Sequence, residues 1–327
     1  MSTTAVRPSE TTERARALVA ERTPAALALG REAGELVHDP ASLVATLHSG
    51  LESLADPEFL AGIRMIAPGI GPVLGVRQPL LTAVSRGLRS ATRRDRPTTV
   101  LDVTTAMFRD PMGEMHWLAI DLLDRTIVRE PEQAWQQVRG EGRRATEWIT
   151  VDRLAHVAGR GILTEPYRWA ELEQLVYSPS RWERRLAGST IATIPFVDRA
   201  AGRTTVVARR GLDIVGDLIG DAEPDVQKAL SWALRSLSIV DPGAVTAFLR
   251  IEAATARDTT DGARAWVVRD ALEKLPAGTA EELRDTVTGI RRRPGAPSTS
   301  RASAAAAAFL HLGVAVPPAE RAVIDRP

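Results

Sequence analysis

The stretch "EWITVDRLAH", residues 147 to 156, sets Trp148 and Asp152 four positions apart. In a helix four residues make about one turn, so an indole and a carboxylate share a face. Two other stretches have the same character. "SRWERRLAG" places Trp182 and Arg185 three apart, and "VQKALSWALRS" places Lys228 and Trp232 four apart, with Arg235 close behind. Aromatic faces and a carboxylate suit a cation, and guanidinium suits phosphate oxygens. The plainer reading is packing, in which a helical Trp fills the core and the Asp pairs with an Arg.

Other chemistries find little support. The chain has no cysteine, which excludes disulfides, thiolate zinc sites, cysteine nucleophiles and iron–sulfur clusters, and fits a reducing compartment. The five histidines (38, 48, 116, 156 and 311) form no pair at helical spacing, which argues against a metal site. His156 follows Asp152 by one turn and reads as a helix-surface histidine, and Glu147 lies on a different face from Asp152. "GIGPVLG" and "GDLIGD" lack the order of a phosphate-binding fingerprint, and no cofactor is expected.

Net charge is only +1, but it is unevenly spread. Residues 181 to 210 hold seven arginines, among them Arg209 and Arg210, against Glu183 and Asp198. Gathered on one surface they would attract phosphates; otherwise they make a solvated face. The N-terminus has no apolar h-region, and no stretch approaches the roughly 18 apolar residues of a membrane span. A soluble cytoplasmic protein is expected.

The elements that must position these residues read as helices. Strand signals are weak, and helical periods alternate with short Pro, Gly and Asp breaks, which predicts an all-α protein of paired helices. Asp56-Pro57, Ser178-Pro179 and the Asp221 to Pro224 stretch read as helix starts. Trp117, Trp148, Trp182, Trp232 and Trp266 recur at intervals of 31, 34, 50 and 34. Helix-pair repeats of HEAT type run about 40 to 47 residues, so the spacing predicts a degenerate solenoid with a concave face. The third interval reads as an insertion over 198–224. Residues 1–20 are expected to be flexible, 21–276 to form the repeat domain, and 277–327 to be a low-complexity linker with a short C-terminal helix.

Five motifs in order then point to a family. From about Gly75 to Leu275, "LGVRQPLL", "MFRDPMGEMHWLAIDLLDR", "EWITVDRLA", "SRWERRLAG" and "QKALSWALRS" resemble the AlkD-type DNA alkylation repair enzymes, which are HEAT-like-repeat DNA glycosylases. The resemblance implies a site at Asp152, Trp148, Trp232 and Arg185, acting on N3- and N7-alkylpurines in double-stranded DNA without base flipping. That would depart from the usual extrusion of the target base.

Asp152 would stabilise the sugar cation and position water, and Trp148 and Trp232 would cradle the deoxyribose. Arg185 would hold a phosphate, and Trp182, Lys228, Arg209 and Arg210 would contact DNA. Lys228 reads as a phosphate contact, so a monofunctional glycosylase, acting as a monomer at the bacterial nucleoid, is expected. Self-resistance to a DNA-alkylating compound is a further role open to such a protein. The other class is a non-catalytic helical scaffold that binds DNA or protein. A scaffold needs no joint retention of indole, carboxylate, guanidinium and indole.

Overall fold

The computed structural model of the protein describes residues 10–311, which divide after Ala134 into two compact units. Both are all-α. Among the described residues there is no strand, only an isolated bridge between Ala55 and Val76.

The first unit holds α1 (Glu10–Glu35), α2 (Pro40–Leu54), α3 (Pro57–Ile66), α4 (Gln78–Ala91), α5 (Pro97–Met107) and α6 (Gly113–Arg129). Asp39 and Asp56 each precede a Pro and accept an amide hydrogen bond, from Ser42 and Glu58 respectively, so two helix starts are built as Asp-Pro caps. The glycine of "LGVRQPLL" has a physical reason. Gly75 has φ +83°, and a Cβ there would lie 2.9 Å from the Asp56 carbonyl oxygen. This backbone lets the amides of Leu74, Gly75 and Val76 all donate to the buried Glu114 carboxylate. Residues 10–20, expected to be flexible, form the first turns of α1. Ala26, Gly30 and Ala33 are buried and α1 packs on α4, so the outer turns extend a helix that is already nucleated. Residues 1–9 and 312–327, the outer parts of the expected flexible terminus and tail, lie outside the described residues.

α7 (Pro131–Arg144) leads into the second unit, which is a two-row stack. One row is α8 (Trp148–Thr164), α10 (Arg181–Val197), α13 (Pro224–Leu237) and α15 (Gly262–Ala271), each packed on the next. The other is α9 (Arg168–Gln174), α12 (Thr205–Leu218), α14 (Pro242–Thr259) and α16 (Ala277–Thr286). A short α11 (Arg199–Gly202) sits between α10 and α12, and α17 (Arg301–His311) lies against α12. Every long helix buries an apolar stripe between the rows, such as Val226, Leu230, Leu234 and Leu237 of α13.

Three sequence expectations change in this unit. The stretch over 198–224, read as an insertion, contains α12, a regular member of the second row, preceded by the short α11. The long Trp interval arises partly because Trp182 lies in the first turn of α10 and Trp232 in the third turn of α13, and partly because α13 starts further along the chain from α10 than α10 does from α8. The second helix start is capped by Ser180 rather than by Ser178 before Pro179. The boundary at 276 falls just before α16, which packs on α14 and α15 and completes the last helix pair. The Arg/Pro/Ser-rich stretch beyond it is docked, with Ser300 and Ala302 buried.

Candidate functional site

Glu147 decides where α8 begins. Its carboxylate accepts from the amides of Ile149 and, at 2.8 Å, Thr150, capping the helix so that Trp148 is its first residue. Asp152 then stands one turn on, facing α10.

There the carboxylate is gripped by two side chains. Arg185 donates twice in a fork, Nε to Oδ1 at 3.0 Å and Nη2 to Oδ2 at 2.7 Å. Ser189, one turn further along α10, donates to Oδ1 at 2.7 Å. The remaining arm of the guanidinium is used as well, with Nη1 donating to the Asp225 carbonyl at 2.7 Å. One arginine therefore ties α8 to α10 and α10 to α13. The Arg185 side chain is 6% exposed and that of Asp152 is 19% exposed. Of roughly four lone-pair sites on a carboxylate, three are taken, and the opening to solvent leaves capacity on Oδ2. Removing one partner of such a desolvated pair costs about 3–5 kcal/mol.

Trp148 stands beside this clamp, with the Arg185 guanidinium carbon 5.9 Å from its ring centroid. Trp232 is half-buried on α13, the next helix of the row, and shares a face with Asp225, Lys228 and Arg235. Lys228 is exposed. Trp182 is half-buried at the start of α10, where the Arg181 guanidinium lies 4.8 Å from its ring. Asp152, Trp148 and Arg185 are thus in one constellation, and Trp182, Lys228 and Trp232 stand on the same row.

Two expectations take a different form. Arg185, expected on a DNA phosphate, is spent inside the protein on Asp152 and Asp225. Arg209 and Arg210 lie on α12, in the other row, and Arg210 packs 5.6 Å from the Trp169 ring of α9. Arg209 and Arg210 are not brought to the carboxylate.

Sequence reading missed Ser189, whose only signal is its place one turn after Arg185. It also missed a second use of the same parts. Trp266 and Asp270 of α15 are again four apart, and Asp270 accepts from Ser231 at 2.6 Å and Arg235 at 2.6 Å, both on α13. Among the described residues no group of three or more His, Asp or Glu could hold a metal ion, and no helix is long and apolar enough to cross a membrane.

A family model described as DNA alkylation repair enzyme matches residues 47–275. No curated protein matches the chain. Among solved structures, the chain is similar to a predicted DNA alkylation repair enzyme from Enterococcus faecalis, at 17% identity and a TM-score of 0.54. That match covers 68% of this chain and 97% of the other. At such low identity the likeness shows the fold alone.

Proposed function

Because the chain belongs to the DNA alkylation repair enzyme family, we propose that it excises cationic N3- and N7-alkylpurines from double-stranded DNA by hydrolysing the N-glycosidic bond. The observation that carries this reading is the Asp152 carboxylate, held by Arg185 and Ser189 beside Trp148 and still open to solvent.

An N3- or N7-alkylpurine already bears a positive charge, so it leaves without being protonated. The C1′–N bond breaks and its electron pair neutralises the departing base. Charge passes to the deoxyribose, as in the oxocarbenium-like transition states of glycosidases. Water adds at C1′ and gives up a proton, leaving a free alkylpurine and an abasic site. Asp152 faces the developing cation and orients the water. A preorganised group of this kind contributes about 2.7–4 kcal/mol in comparable sites, because nothing must rearrange as charge develops. The indoles of Trp148 and Trp232 each add about 0.5–2 kcal/mol through their quadrupoles.

Arg185 acts through Asp152 and is a positioning residue: its fork and the Ser189 hydroxyl leave the carboxylate one orientation. A base that departs already neutral needs no extrusion into an acid-lined pocket, in keeping with reaction on a stacked base. Lys228 is exposed, where its amine keeps ordinary solvation, so no Schiff base is assigned to it.

The test is incubation of the protein with methylated duplex DNA and chromatography of the released bases. Release of 3-methyladenine or 7-methylguanine above the spontaneous rate, with no cleavage of the strand, is expected. Binding without release would instead make the chain a scaffold. Cleavage at abasic sites that is lost in Lys228→Ala would overturn the monofunctional assignment.

A further inference from the structure

Beyond Leu275, where the family match ends, the chain returns to the row that carries Asp152. The segment from Arg291 to Arg301 is a strap with fixed anchors. Thr299 donates its amide to the Gly220 carbonyl at 2.9 Å, and its hydroxyl reaches Asp261, the residue that caps α15. Arg301 donates to the Gly216 carbonyl at 3.2 Å and pairs with Asp217 at 3.2 Å. At Gly262, the first residue of α15, the backbone of Arg291 comes so close that a Cβ would lie 2.2 Å from its carbonyl oxygen. Only glycine admits that approach.

The strap holds three successive arginines in place. Arg292 lies over the Trp266 indole, 4.9 Å from its centroid, and donates to the buried Gln227 of α13 at 2.8 Å. Arg292 therefore bridges the start of α13 and the middle of α15, and Arg291 lies against the first residue of α15. The pairing in this row runs in step: Arg185 meets Asp152 near the starts of α10 and α8, and Thr193 bonds the Ala155 carbonyl further along both. The arginines thus lie at the same end of the row as Asp152.

Arg291 and Arg293 are exposed, and among the described residues neither side chain meets a carboxylate. Asp270 and Glu273, on and just after α15, are held by Arg235 and Lys274. Arg269 on α15 is held below the usual guanidinium range, first by burial and then by the charges of Arg291 and Arg292. Positive charge is thus gathered at one place by Arg269, Arg291 and Arg292.

We propose that Arg291 and Arg293, presented by the strap that Arg292 pins to Trp266 and Gln227, bind the phosphates of duplex DNA and extend the interface past α15. This rests on the DNA reading above. Three spacings of about 8–10 Å separate α8 from α15, roughly 25 Å, or about seven phosphates of one strand at 3.4 Å each. The contact therefore falls well away from the lesion.

The test is the salt dependence of binding, by fluorescence anisotropy, of the full chain and its Arg291→Ala/Arg293→Ala variant. One duplex has about 12 base pairs on each side of the lesion and the other about 4. On the long duplex the log–log slope of affinity against salt should be shallower by about two in the double variant, near 0.9 per lost phosphate contact. On the short duplex the two proteins should agree, and Arg291→Lys/Arg293→Lys should restore the long-duplex slope. An unchanged slope on the long duplex, or an equal change on both duplexes, overturns the proposal. Failure of the unaltered chain to bind either duplex overturns the DNA reading and this proposal together.

Discussion

Trp148 and Asp152 on α8 have a counterpart in Trp266 and Asp270 on α15. Each pair is spaced by four residues, and each carboxylate is held by one Ser and one Arg from a neighbouring helix. Their settings differ. Asp152 lies in the second turn of α8, toward the positive end of the helix dipole, whereas Asp270 is the penultimate residue of α15, at the negative end. The Asp152 side chain is 19% exposed and that of its arginine 6%, against 42% and 23% for Asp270 and Arg235. Arg185 holds Asp152 with two parallel hydrogen bonds and spends its third arm on α13. Arg235 uses one terminal nitrogen for both the carboxylate and the carbonyl of Asp270. The Trp266 indole is already covered by Arg292. A local Trp/Asp spacing is therefore not a site in itself. What separates the two is the burial of the clamp.

The sharpest contrast should be in stability. Arg185→Ala leaves a mostly buried carboxylate unpaired and is expected to cost about 3–5 kcal/mol. Arg235→Ala loosens a pair near the surface and should cost about 0–1 kcal/mol. Chemical denaturation of the two variants checks this, and equal losses would erase the distinction. Ser189→Ala is next, expected at about 1–3 kcal/mol because it removes a hydroxyl that donates to Asp152 inside the protein. Ser231→Ala should cost less, since Asp270 can turn to water.

Trp148→Phe keeps an aromatic ring but weakens the attraction to a cation, so excision should slow several-fold, on the order of 1 kcal/mol. Trp266→Phe should leave the rate unchanged. The smallest effect belongs to Arg209 and Arg210. They lie in the other helix row, and replacing both with Ala should change the salt slope of DNA binding by about zero, where a DNA contact would remove about 0.9 each.

Much of this was legible locally. The Asp-Pro start at 56–57, the alternation of apolar periods with short breaks, and the shared face of Trp148 and Asp152 all depend on neighbours within a turn or two. The partners of these residues were not. Arg185 reads equally well as a phosphate ligand until α8 and α13 are seen on either side of it, and Ser189 has no signature of its own. The composition of 291–303 suggests a linker, yet Thr299 and Arg301 bind carbonyls at 220 and 216, far away in the chain. Periodicity marked the tryptophans but not their levels along the helices, which is why α12 read as an insertion.

In the proposed reaction Asp152 serves the chemistry and Asp270 only the packing. Release of 7-methylguanine from methylated duplex under single-turnover conditions, measured for Asp152→Asn and Asp270→Asn with duplex affinity recorded for each, tests it directly. Asp152→Asn should lose roughly 10²–10³-fold with affinity retained, and Asp270→Asn should not change. Equal rates in the two variants would contradict it.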